Sequence, residues 1–212
     1  MAKRNTKELI LQEALRLFSD HGYDGVSVRQ ISGAVGIRES ALYRHFKNKQ
    51  DIFDTIIKRI EGQYAIVAQE YNIPDGDLSQ VANAYIKNGL HPLKEMTKSM
   101  FLFWLKSEEA SKFRRMLTIE QFKSSRAGQT YHMFFFRLPL EFQTQLFGEM
   151  IKKKYFKELD PKILALNFYS PIFLLINQYD NHPELEEEAL QLLEKHIDQF
   201  ELLYCTPHRK EM

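Results

Sequence analysis

The stretch Ser27–Lys49, SVRQISGAVGIRESALYRHFKNK, decides how this chain folds. It reads as two short helices joined by a tight turn. Ser27 caps the first helix, and Gln30 completes a capping box. Ile31, Ala34 and Val35 share one apolar face. Gly36 follows at once, where a left-handed residue ends a helix at little cost. Ile37 enters the turn, and Glu39 to Phe46 form the second helix. Leu42 and Phe46 point inward, which leaves Arg38, Glu39, Ser40, Ala41, Arg44 and His45 on or near the outward face. A buried face that sets the angle between two helices and a polar face free to enter a DNA groove together make a helix-turn-helix.

The run from Gly36 to Lys49, with the amphipathic helix Ile10 to Phe18 and the Gly22-Tyr23 turn ahead of it, resembles the DNA-binding signature of the TetR/AcrR family of bacterial transcriptional regulators. Gly36, Leu42-Tyr43, His45-Phe46 and Lys49 carry the match, which covers about the first 60 residues. Beyond them only length and helical pattern agree. The resemblance implies an all-α fold with a helix-turn-helix domain over 1–48. A regulatory and dimerisation domain follows over 49–212, joined through a connecting helix from Lys49 to Tyr71. It implies a homodimer on a palindromic double-stranded DNA operator, most often a repressor, released by a small-molecule effector. By position in the motif, Ser27, Tyr43, His45 and Lys49 resemble the family's phosphate-contacting set. The competing reading buries the Tyr43 ring and leaves His45 a plain surface histidine.

Base readers are expected from Arg29, Arg38, Glu39, Ser40, Ala41 and Arg44. Arginine suits the two acceptors of guanine, Glu accepts from cytosine, and the Ala41 methyl meets a thymine methyl. Two departures from the family stand out. Arg38 occupies a position usually held by Ser or Thr as a cap. Glu39 brings a negative charge near phosphates, so it either selects cytosine or pairs with Arg38 or Arg44.

The charge distribution agrees with this division. Residues 1–60 hold 11 Lys/Arg and 7 Asp/Glu (11 − 7 = +4), which leaves 1 − 4 = −3 on the remainder. A basic head on a mildly acidic body fits DNA binding at one end. The single cysteine, Cys205, excludes a disulfide framework, so the reducing cytoplasm is the expected location. The amino terminus MAKRNTKE lacks an apolar core, so no secretory signal is expected, and no apolar run is long enough to cross a bilayer.

Along the rest of the chain, Asn5 with Glu8 opens the first helix as a capping box, and its buried stripe is Leu9, Ala14, Leu15, Leu17 and Phe18. Lys3, Arg4 and Lys7 form an arm that either touches DNA or stays solvated. Asn48 with Asp51 caps the connecting helix. Pro74 and Gly76 mark a turn, and Asp77, His91-Pro92, Ser107, Asp160-Pro161 and Pro183 open further helices. Pro139 inside the segment 127–157 predicts a kink or break, and Pro171 sits inside another helix. Nothing reads as a strand.

The last two helices are apolar around more than one face. A second stripe suggests a partner, and the family dimerises through two such helices. Ile172, Leu175, Ile176, Leu185, Ala189, Leu192, Leu193 and Phe200 are the expected dimer residues. The competing reading spends both stripes within one subunit. The aromatic middle third, with Tyr64, Phe101, Trp104, Phe122, Tyr131, Phe135 and Phe168, suits a pocket for an apolar or flat ligand, as the resemblance implies; the competing reading is ordinary core.

No nucleophile elbow, P-loop, dinucleotide fingerprint or Glu-x-x-His pair is present. No enzyme, cofactor or metal is expected, since Cys205 and His208 form a lone pair in a polar tail. The rival class is a helical protein-interaction module whose helix-turn-helix no longer meets DNA.

Overall fold

The computed structural model describes residues 5–70, 78–87, 89–180 and 182–206. Helices dominate: α1 (Thr6–His21), α2 (Val28–Val35), α3 (Glu39–Leu42), α4 (Lys49–Glu70), α5 (Leu78–Lys87), α6 (His91–Lys106), α7 (Glu108–Glu120), α8 (Ser125–His132), α9 (Leu138–Lys152), α10 (Pro161–Gln178) and α11 (Glu186–Tyr204). Among the described residues β-type pairing amounts to one isolated antiparallel bridge, Phe156 with Cys205. The fold is all-α. The turn expected at Pro74-Gly76, the Asp77 cap, the arm residues Lys3 and Arg4, and His208 lie outside the described residues.

The chain packs as two compact units. One comprises Met1–Ile66 with Ser107–His132; the other comprises Val67–Lys106 with Met133–Met212. The sequence puts its boundary at residue 48, whereas the packing groups most of α4, with α7 and α8, alongside the amino-terminal helices.

In the first unit α1 is covered on two sides, by α2 and by α7. Its buried stripe is wider than the one expected: Ile10, Leu11, Ala14, Leu15, Leu17 and Phe18 are buried, while Leu9 is half-buried. Asn5 caps the helix by accepting the Glu8 amide at 3.3 Å. The reciprocal half of the expected box is absent, because the Glu8 carboxylate binds Arg59 on α4 instead. Arg59 also meets Glu109 on α7 at 2.9 Å, and Asp54 on α4 pairs with Arg126 on α8 at 3.1 Å. Both carboxylates raise the Arg59 pKa, the hydrogen bond to Glu8 most of all.

In the second unit α9 lies against α10 and α5, and α11 against α10 and α6. Its core is aromatic. Phe147 stands 5.2 Å from Phe156, 5.5 Å from Phe168 and 5.6 Å from Phe200, centroid to centroid. Three ion pairs join α6 to α11: Lys94–Asp198, Lys98–Glu194 and Lys106–Glu186. Their numbers rise on one helix as they fall on the other, in equal steps, so they mark an antiparallel register. The Lys98–Glu194 hydrogen bond raises the lysine and lowers the glutamate. Pairs this exposed add little stability each, so register rather than strength is their contribution.

The prolines act differently. An uninterrupted helix would drive the Pro139 ring into the carbonyl of residue 135. The chain instead widens to a π-helical segment over Met133–Arg137, and Pro139 falls in the first turn of α9. Pro171 leaves α10 unbroken, and the His196 ring nitrogen sits 2.8 Å from the Phe168 carbonyl, three residues before the proline. α9 stops at Lys152 rather than near Lys157, because Lys154 turns the chain at φ +59°. The last helix begins with a 3-10 turn over Pro183–Leu185 before α11.

Most of the expected dimer residues lie in the core. Ile172, Leu175, Ile176, Ala189, Leu193 and Phe200 are buried within their own unit, since α10 and α11 need that stripe to cover α6 and α9. Of the eight, Leu185 and Leu192 are exposed. The second apolar stripe exists but runs elsewhere: Ile163, Leu166 and Leu174 on α10, and Leu192, Leu202 and Leu203 on α11.

Replacing Phe147 with alanine is expected to cost about 3–5 kcal/mol, read as a lower urea midpoint with an unchanged slope. Burial pushes the Cys205 thiol up to about 12, so at pH 8 it stays protonated. A thiol reagent is expected to label it slowly in the native chain and quickly in denaturant.

Candidate nucleic-acid interface

The α2–α3 pair is built from local rules. Ser27 accepts the Gln30 amide at 3.2 Å, and the Gln30 side chain accepts the Ser27 amide at 2.7 Å, which closes the capping box. At the other end Gly36 takes φ 75°, ψ 36°. The Ile37 amide reaches the Ser32 carbonyl at 2.9 Å and the Gly36 amide reaches Gly33 at 3.1 Å, a complete Schellman turn. Ile31 and Val35 are buried as expected, whereas Ala34 faces outward and is exposed.

The second helix is shorter than expected. Regular α geometry spans Glu39–Leu42 and no side chain caps it, because Arg38 supplies no acceptor. The chain then tightens: the His45 and Phe46 amides both reach the Leu42 carbonyl, at 2.9 and 3.1 Å. Leu42 and Phe46 remain buried, at 0% and 3% exposure. Asn48 then caps α4 by accepting the Asp51 amide at 2.9 Å, while the Asp51 carboxylate reaches back to the Lys47 amide at 2.9 Å.

The outward face follows from that burial. Ser27, Arg29, Arg38, Glu39, Ser40, Tyr43, Arg44 and His45 are exposed, and Ala41 is half-buried. Tyr43 is 51% exposed, so its ring is not core. Among the described residues no ion pair ties Glu39 to Arg38 or Arg44. The row therefore carries a free carboxylate between two guanidiniums. Lys7 of the expected arm lies 5.6 Å over the Phe46 ring.

Lys49 makes backbone contacts that the motif does not announce. Its ammonium donates to the Tyr23 carbonyl at 2.8 Å and the Val26 carbonyl at 2.9 Å, and lies 4.0 Å from the centre of the Tyr23 ring. Two of its three donors are thus spent on backbone before any phosphate arrives. The sequence also left Glu120 unmarked. Its side chain is 1% exposed, and it accepts the Tyr23 amide at 3.0 Å. The two residues are 97 apart in the chain, so no spacing rule finds the pair.

The residues of the expected ligand wall are shared between the two units. Phe101, Trp104 and Phe135 are buried in the second unit, with the Trp104 and Phe135 rings 4.7 Å apart. Phe168 belongs to the Phe147 cluster. Tyr64 and Tyr131 lie in the first unit, and burial pushes the Tyr64 phenol up to about 12. Phe122 is 91% exposed in the turn after α7, so its ring faces solvent rather than a cavity. An open groove of about 380 Å³ between α5 and α9 is lined by Leu78, Ser79, Thr144, Gln145, Gly148 and their neighbours, with no aromatic wall. Among the described residues no cluster of three or more metal-ligating side chains occurs, and no helix is long and apolar enough to cross a membrane.

Comparison with known proteins places this geometry. Residues 10–56 match the family model described as bacterial regulatory proteins, tetR family. The nucleoid occlusion factors SlmA of Escherichia coli and Klebsiella pneumoniae are 46% identical over 61 residues. That stretch is 28% of this chain and 31% of the relatives' length, so the likeness stops well short of either whole protein. SmeT, the repressor of the Stenotrophomonas maltophilia multidrug efflux pump SmeDEF, superposes with a TM-score of 0.65 at 19% identity, over 97% of this chain and 93% of that one. A TetR-family transcriptional regulator from Marinobacter aquaeolei gives 0.62 at 23% identity, over 98% and 94%. The fold of the whole chain is thus that of these regulators.

Arg44→Ala is expected to lower affinity for a specific site by roughly 1–3 kcal/mol and to relax preference at one or two base pairs. Binding to random DNA should change little, as competition between specific and random duplexes would report.

Proposed function

We propose that this chain, which carries a tetR-family domain on the fold of the TetR-family regulators, is a DNA-binding transcriptional repressor controlled by a small molecule. The observation that supports this best is the outward row on α2 and α3. Arginines, hydroxyls, a phenol and an imidazole project from backbone held by a capping box and a Schellman turn, with the apolar side chains buried beneath. Rigid backbone with exposed donors is what groove reading requires. Ser27, Tyr43 and His45 would hold phosphates. Arg29, Arg38, Glu39, Ser40, Ala41 and Arg44 would face base edges.

The protein would bind a palindromic operator as a homodimer. The stripes Ile163–Leu166–Leu174 on α10 and Leu192–Leu202–Leu203 on α11 support this, since apolar residues at helical spacing on neighbouring helices make a surface that a second copy covers. Tight effectors would be apolar or aromatic. SmeT, which shares the fold with a TM-score of 0.69 in its triclosan complex, offers the parallel.

The test titrates purified protein against the intergenic DNA beside its own gene, with random competitor, at two salt concentrations. Specific binding by two subunits per palindrome that falls steeply with salt is the expected result. Salt-insensitive binding, or no preference over competitor, would favour the protein-interaction module instead. Leu174→Glu, at a position 61% exposed, should fold normally but sediment as a monomer and bind the palindrome weakly. Trp104 is the chain's single tryptophan, so triclosan titrated as a probe can be followed by its fluorescence.

A further inference from the structure

We propose that Glu120, with Lys49, is a positioning residue for DNA recognition, acting through the backbone of Tyr23. The inference rests on the DNA-binding reading above and adds residues that touch no DNA themselves.

The turn between α1 and α2 is gripped at one residue from two directions. On one side the Glu120 Oε1 atom accepts the Tyr23 amide at 3.0 Å. That oxygen also takes Lys123 Nζ at 3.3 Å. On the other side the Lys49 ammonium holds the Tyr23 carbonyl and, three residues on, the Val26 carbonyl. The Tyr23 ring is wedged between Phe18 and Phe53, with centroids 5.4 and 5.1 Å away. The approach of the carboxylate has a requirement. A Cβ on Gly22 would lie 2.6 Å from the same Glu120 oxygen, and Gly22 sits at φ +74°. Only glycine satisfies both conditions.

Val26 immediately precedes Ser27, the cap of α2. A turn fixed at Tyr23 and Val26 therefore fixes where α2 begins, and with it the positions of Ser27 and Arg29. Lys49 opens α4 directly behind the recognition turn, so its two hydrogen bonds also tie the exit of α3 to the entrance of α2. Glu120 adds the end of α7 to the same grip. A carboxylate this buried is costly unless partnered, and the part-buried Tyr23 amide is left without its acceptor if the carboxylate goes. The pair therefore holds the turn tightly, and loosening it lets the α2 row wander relative to the α3 row.

The test compares operator binding of wild type, Glu120→Ala, Glu120→Gln and Lys49→Met, each checked for folding by thermal melt, across a salt series. Glu120→Ala is expected to weaken binding roughly ten-fold, the size of one charge-assisted hydrogen bond. The slope of affinity against salt should be unchanged. Glu120→Gln keeps an acceptor oxygen for the Tyr23 amide and should recover most of the affinity. Lys49→Met should weaken binding with the slope again unchanged, whereas a lost phosphate contact would flatten it by about 0.9. A folded Glu120→Ala protein that binds like wild type overturns the positioning role of Glu120, and a flattened slope in Lys49→Met overturns that of Lys49. If Glu120→Ala does not fold, Lys49→Met decides whether the grip on the Tyr23 turn positions the helices: weakened binding with the wild-type slope supports it, and wild-type affinity or a flattened slope overturns it. Wild-type protein with no salt-dependent DNA binding overturns the regulator reading and the positioning role with it. Glu120→Ala or Lys49→Met weakened with the salt slope unchanged, beside a binding wild type, supports both.

Discussion

Burial of α1 is the constraint on which the helix-turn-helix depends. Helices α2 and α3 have eight and four residues. Such pieces cannot remove enough apolar surface from water to stand alone. α1 lies between them and the rest of its unit, with α2 on one side and α7 on another. The residues that fill it, Ile10, Ala14 and Phe18, are fully buried. Polar links then stop the packed helices from sliding. Arg59 joins α4 to α1 and α7, Asp54 joins α4 to α8, and Glu120 joins α7 to the α1–α2 turn. Apolar burial supplies the cohesion, and these contacts select one arrangement of it.

Local devices were legible in the sequence because each is encoded within a few residues. The Ser27–Gln30 box, the Gly36 stop, the caps at Asn48, Ser107 and Asp160, and the inward Leu42 and Phe46 all appear as read. What the sequence did not show depends on long-range partners. Glu8 has the right spacing for a box with Asn5, yet a guanidinium 51 residues away is the stronger donor to its carboxylate. Lys49 sits where a phosphate contact is expected, but two carbonyls from a turn 23 and 26 residues earlier reach it first. Two apolar stripes on α10 and α11 were visible as a pattern. Which stripe faces the core is decided by where α6 and α9 lie, and helical periodicity is silent on that.

Pro139 shows a different limit. Its ring forbids a plain helix, and that much is chemistry of one residue. Whether the chain answers with a kink, a break or a widened turn depends on what the flanking helices must still bury. Here Phe134 and Phe135 stay buried within the π-helical segment, with Trp104 against both rings. The extra residue in that turn keeps the aromatic pair facing inward while the proline passes. Pro171 meets a gentler solution, in which the helix continues and a neighbouring imidazole sits at a nearby carbonyl.

The first compact unit is assembled from two separated lengths of chain, Met1–Ile66 and Ser107–His132. During translation the helix-turn-helix leaves the ribosome early, but the helix that covers the second side of α1 follows only after another forty residues, Val67–Lys106, have been made. Domains tend to fold as their residues emerge, and this one lacks its last wall until α7 is out. A nascent or prematurely terminated fragment ending before α7 therefore exposes the apolar side of α1. Such fragments would be substrates for chaperones and proteases.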